Sequence, residues 1–198
     1  MQRSTKIRDT KNVVEFKNHE EGIEYCKKKN IHLKDIREYK VDDVIYFSSR
    51  IKTKEAQILS NMYPCKFYIG NIRFNSVEQA FHYFCFTEQP EIQYHILACR
   101  SGYEVKSKCK GLRRDSNFLR KRYGLLELCL TEKYLQCAEF REILDNSGDV
   151  PLVEWAEWGD VEYGCCKYYN ADQECLIGQN ACGRLMMKVR QDNRKGDV

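Results

Sequence analysis

Ser76-Val77-Glu78-Gln79-Ala80-Phe81-His82-Tyr83-Phe84-Cys85 is the stretch on which the reading of this chain turns. Ser76 followed three residues later by Gln79 forms a capping box, in which the two side chains satisfy amides left free at a helix start. The spacing predicts a helix opening at Val77, with Val77, Phe81 and Phe84 on one stripe. Glu78, His82 and Cys85 fall at i, i+4 and i+7 on the neighbouring stripe. That lines up a carboxylate, an imidazole and a thiol beside an apolar face.

Just before this helix, Phe67-Tyr68-Ile69-Gly70-Asn71-Ile72-Arg73-Phe74 sets apolar segments either side of a Gly-Asn pair, the pattern of a β-hairpin. Residues 44–48 form a short β-type run, followed by a polar stretch and then Leu59-Ser60-Asn61-Met62-Tyr63-Pro64-Cys65, a loop with turn chemistry. Downstream, helices are predicted at residues 90–100, 102–110, 117–136 and 138–145, with Gly148 as a stop signal. Residues 151–155 are strand-like, and residues 158–172 read as a loop rich in Gly, Tyr and acids. Asn180 is a candidate N-cap for a last helix over residues 181–190. The expected fold is α+β and predominantly helical: one domain over residues 41–190 with a small antiparallel hairpin or sheet. Residues 1–40 read as a polar, solvated N-terminal extension with a short helix at 19–30, and residues 191–198 as a flexible tail.

Composition narrows the classes. An apolar fraction of 42% is enough for a real core. Lys plus Arg number 33 against 29 acids, a balance that permits a phosphate-bearing ligand without marking a DNA-coating protein. No apolar run reaches the length of a membrane span, and the first residues lack the apolar core of a secretory signal, so a cytoplasmic protein without membrane contact is expected. The cysteines, 11 in number, include no CxxC pair. Cys165, Cys166, Cys175 and Cys182 are the nearest thing to a cluster, but free buried thiols are the expectation, with no metal and no cofactor.

Three separated segments resemble the YbiA/NADAR family. The first is Ser60-Asn61-Met62-Tyr63-Pro64-Cys65 followed by Ser76-Val77-Glu78. The second is Leu152-Val153-Glu154 with Asp160, Tyr163 and Gly164. The third runs from Gly178 through Asn180, Gly183, Leu185 and Met187 to Arg190. Together they span about three quarters of the chain, leaving the first 40 residues outside. The resemblance implies an N-glycosidase acting on a ribose-phosphate or ADP-ribose substrate, either an intermediate of riboflavin synthesis or a base carrying ADP-ribose, free or in nucleic acid.

Breaking an N-glycosidic bond builds positive charge on the sugar, which a carboxylate stabilises while an acid protonates the leaving base. The resemblance makes Glu78 the leading carboxylate and Asp160 a second one, holding a ribose hydroxyl or helping the proton transfer. Without it, Glu78 is an acid favoured by a helix dipole and Asp160 a turn aspartate. Tyr163 is a candidate for stacking on a base or sugar, beside Gly164. Ser60, Asn61 and His82 are candidate ligand contacts, and the Asn180–Gly183 helix start is a candidate phosphate site.

Two departures qualify the resemblance. Cys85 stands where family members that remove ADP-ribose from bases carry a lysine able to form a Schiff base, and Ser116 stands where the family often has Trp. Direct water attack by Glu78 and Asp160, an amine from Lys106, a Cys85 thiolate activated by His82, or ligand binding without turnover are the alternatives. A small interaction protein that kept only the fold completes the set.

Overall fold

A computed structural model of the chain describes residues 13–194. Residues 1–12 and 195–198 lie outside the described residues, and with them the start of the expected extension and the end of the expected tail. The architecture is α+β and mainly helical. Among the described residues no helix is long and apolar enough to cross a membrane.

The hairpin forms from β4 (Phe67–Ile69) and β5 (Ile72–Phe74), antiparallel with Ile69 opposite Ile72. Gly70 takes φ 58°, the left-handed backbone a two-residue turn requires. It leads into α3 (Val77–Phe84), capped by Ser76, whose hydroxyl accepts from the Gln79 amide at 3.1 Å. Gln79 also reaches past the cap. Its carboxamide accepts from the Asn75 amide at 2.7 Å and donates to the Ile96 and Cys99 carbonyls, tying α3 to the end of α4 (Pro90–Leu97).

Next come α5 (Gly102–Lys108), the long α6 (Phe118–Gln136) and α7 (Ala138–Asn146). Helix α6 packs against α3, and against the closing helix α8 (Ala181–Arg194). Phe47, Phe67, Phe74, Phe86, Phe140 and Leu130 are fully buried in the main core, each contributing about 2–3 kcal/mol of burial. The last helix continues four residues beyond the expected 190, through part of the segment read as tail. A short α2 (Lys54–Leu59), capped by Thr53, occupies the stretch read as merely polar.

Two differences from expectation reshape the sheet. Residues 166–170, read as loop, form β7 (Cys166–Asn170), which pairs antiparallel with β8 (Gln173–Gly178), the chain turning at Ala171 with φ 52°. Residues 13–40 do not stand free. β1 (Glu15–Phe16) joins β7, β2 (Arg37–Lys40) joins β8, and α1 (His19–Lys28) covers them through Gly22 and Cys26. Separately, β3 (Ile45–Phe47) runs parallel to β6 (Leu152–Glu154), with Phe47 opposite Glu154. That pairing carries Glu154 to the end of a buried strand.

Candidate functional site

Glu78 lies in the first turn of α3, its side chain 12% exposed. Its amide donates to the Asn61 carbonyl at 3.0 Å, so the 60–65 loop is docked on the helix start. One carboxylate oxygen stands 3.6 Å from His82 Nδ1, which also lies 3.1 Å from the Glu78 carbonyl. Burial lowers the His82 pKa against the opposing pull of Glu78, and nearby Arg114 and Lys106 lower it further, so the ring is neutral at pH 7. Gly102 sits against Glu78. A Cβ there would lie 3.1 Å from the Glu78 Cβ and 2.9 Å from the Met62 sulfur, so a larger residue would press on both side chains.

Glu154 faces the same region from the end of β6. Its side chain keeps some accessible surface although protein surrounds it. Desolvation first, then Asp160 and Glu78, push its carboxyl up to about 8, against the opposing influence of a Cys182 hydrogen bond and of Lys106. A glutamic acid is thereby held protonated at neutral pH. Asp160 accepts from the Glu162 and Tyr163 amides at 3.1 and 3.0 Å through one oxygen, yet burial still raises its pKa. Three acids thus share one region without converging as a metal cage would; among the described residues no such group occurs.

Cations and rings surround these acids. Lys106 bears electrostatically on Glu154, Asp160 and His82. Its ammonium lies 5.4 Å from the Trp158 ring, as does the Arg50 guanidinium, which Glu157 anchors at 2.5 Å. Arg114 lies over Phe118 at 4.5 Å. Tyr163 is wedged edge-on between Phe81 and Tyr123, at 6.1 and 6.3 Å. Asn61 donates to the Cys182 sulfur at 3.4 Å, while its buried Oδ1 has no hydrogen-bond partner. An orphaned acceptor beside a Glu154–Cys182 contact is the kind of group a ligand hydroxyl or amine satisfies.

Glu78, His82, Asp160, Asn61 and Tyr163 are therefore brought together. Several other expected residues are not. Cys85 is fully buried, its thiol donates to the Phe81 carbonyl at 3.0 Å, and burial pushes its pKa up to about 12, which removes the thiolate reading. Ser60 spends its hydroxyl on the Met62 amide. Asn180 is fully buried with φ 52°, accepting from the Glu154 amide and donating to the Leu152 carbonyl and the Tyr39 hydroxyl. It stitches α8 to β6 and has nothing left for a ligand.

The phosphate reading of the α8 start fails for the same reason. The amides of Gln179, Asn180, Ala181 and Cys182 donate to the carbonyls of Val161, Gly164, Glu162 and Tyr163. Gly183 is a packing glycine, since a Cβ would fall 2.1 Å from the Leu152 oxygen. Gly164 packs likewise, since a Cβ there would fall 2.6 Å from the Glu154 carbonyl oxygen. Arg190 is buried on Ser147 and Val150. Sequence reading missed Glu154 as a site group and left Lys106 as an alternative; an acid directly after Leu152-Val153 in a strand-like run was the available signal.

A depression of about 240 Å³, lined by Ser60, Met62, Tyr63 and Tyr103 among others, adjoins the 60–65 loop. A larger one of about 580 Å³ runs along α8 past Arg184, Lys188 and Arg194; neither is lined by Glu78, Glu154 or Asp160.

Fold and site together define an α+β domain in which three largely buried acids lie near Lys106 and a group of aromatic rings. The chain belongs to the NADAR family, whose domain model matches residues 46–194. Its fold is similar to the NMR structure of the E. coli protein YbiA, with a TM-score of 0.64 at 19% identity, covering 79% of this chain and 88% of that one. No curated protein matches the chain.

Proposed function

We propose that the chain is an N-glycosidase that hydrolyses the bond between a base and a ribose bearing phosphate, ADP-ribose on a nucleobase or a phosphorylated ribosylamino-pyrimidine. The observation that carries this is Glu154, a carboxyl kept protonated near neutral pH beside two further acids. Glu154 donates its proton to the leaving nitrogen as the C1′–N bond breaks. Glu78 faces the developing sugar cation and orders the water that adds to C1′, with His82 fixing its orientation. Asp160 supports the deprotonation of that water or holds a ribose hydroxyl. Lys106 and Arg114 attract the phosphates to the site, and the orphaned Asn61 oxygen accepts from the sugar or base.

With Cys85 sealed in the core, water attack is the favoured route. A second reading, a module that binds ADP-ribose without turnover, rests on the family lysine position being occupied by Cys85. Purified chain is tested on ADP-ribosylated guanosine and on the pyrimidine intermediate, with release of base as readout. Turnover lost in Glu78→Gln and Glu154→Gln supports the enzyme. No turnover but a melting temperature raised by ADP-ribose supports the binder. Neither response leaves the fold alone and removes both.

A further inference from the structure

The cysteines show a different chemistry. Of the 11, ten are buried and Cys137 alone is half-exposed. It stands at the corner between α6 and α7, its amide bonded to the Lys133 carbonyl at 2.8 Å. The Cys65 thiol is in side-chain hydrogen-bonding contact with it. Cys65 closes the 60–65 loop, its amide donating to the Asn75 carbonyl at 2.9 Å.

Both segments are fixed to each other on either side of this contact. Gln136 exchanges two hydrogen bonds of 2.8 Å with the Tyr68 backbone, and Tyr63 donates to Glu139 at 2.9 Å. Beneath the pair lies Lys133, fully buried, donating to the Ile58 and Ser60 carbonyls at 2.6 and 3.2 Å. The charged groups felt by this ammonium are the thiols of Cys65, Cys137 and Cys182. Burial pushes the Cys65 thiol up to about 11, against the opposing pull of Lys133.

We propose that Cys65 and Cys137 are a modification site at which a peroxide-class oxidant joins the two thiols as a disulfide, locking the 60–65 loop to the α6–α7 corner. The exposed Cys137 sulfur attacks the peroxide, the O–O bond breaks, and a sulfenic acid and one water result. The Cys65 sulfur then attacks the Cys137 sulfur; the S–S bond forms, the S–O bond breaks, and a second water leaves with the Cys65 proton. Two thiols are oxidised and one peroxide is reduced to two waters. The two cysteines adjacent in sequence, Cys165 and Cys166, point into separate clusters on opposite faces of their segment, the first with Val153 and Leu176, the second with Tyr168 and Ile177. Because Asn61 of the same loop touches Glu78 and Cys182, the bridge stiffens one wall of the acidic region. The inference stands whether or not that region is catalytic.

Reduced full-length chain is treated with hydrogen peroxide, unfolded, alkylated with N-ethylmaleimide and weighed intact. The reduced chain takes eleven adducts, one per cysteine; the oxidised chain is expected to take nine, the two joined thiols being silent. Non-reducing peptide mapping is expected to recover the Cys65–Cys137 link, and dithiothreitol to restore all eleven. Cys65→Ser is expected to leave Cys137 as a sulfenic acid that dimedone captures. Eleven adducts after peroxide, a link between other cysteines, or Cys137 recovered as sulfinic acid beside an alkylated Cys65 overturns the proposal. The map needs no variant, so a Cys65→Ser chain that fails to fold does not spare it.

Discussion

Replacing Glu154 by Gln tests whether this carboxyl is held protonated. The wild-type carboxyl, raised to about 8 in the folded chain, has an ordinary value near 4.5 when unfolded. Between those two values the folded state binds a proton that the unfolded state has released, so wild-type stability falls as pH rises through that window. From pH 5 to pH 8 the loss from this one group is about 3 kcal/mol. Glutamine has no proton to lose, keeps the shape, and does not share the slope. Thermal unfolding of both proteins at half-unit steps across the window is the assay. At about 2–4 °C per kcal/mol for a chain of this size, the variant is expected to gain on the wild type by about 6–12 °C between the ends. Parallel curves would refute the reasoning, since they would mean Glu154 ionises with an ordinary pKa and cannot be the proton donor near neutrality. If the chain turns over substrate, the same proton governs the rate, and activity declines as pH passes 8.

Glu78→Gln is expected to cut turnover by about 100-fold or more while moving the melting temperature by only a few degrees, measured by base release and calorimetry. Lys106→Met is expected to raise KM for phosphate-bearing substrates more than it lowers kcat, with a weaker dependence on salt. Asn180→Ala leaves the Glu154 amide and the Leu152 carbonyl unpaired and is expected to cost about 3 kcal/mol in urea unfolding. Gly183→Ala pushes a methyl into the Leu152 oxygen, and a soluble, wild-type-stable variant would disprove the close approach of α8 to β6.

Two features of the fold were legible in local chemistry alone. The Gly70-Asn71 turn and the Ser76 cap are decided by their own side chains and backbone, and both appear where the residues place them. The β7–β8 hairpin escaped because its two-residue turn, Ala171-Asp172, has alanine at the φ 52° position, where Gly or Asn would have announced it. Glu78 and Asp160 were visible as motif residues. Glu154 was visible as a motif residue too, but not as a site group, because its character comes from burial at the end of a strand whose partner, β3, is distant in the chain. The Asn180–Gly183 segment misled for the opposite reason. Its composition suits an anion, but the carbonyls of residues 161–164 already occupy its amides, and only the folded chain brings them there.

Strand β2 spans Arg37–Lys40, ahead of the NADAR match, yet it hydrogen bonds along Cys175–Gly178. A protein trimmed to start at residue 46 would strip that cover from β8 and expose a row of unpaired amides beside Leu176 and Ile177. Bare sheet margins of this kind recruit strands from neighbouring molecules. Shortened versions should therefore self-associate on storage, and light scattering of preparations beginning before and after β2 would show it.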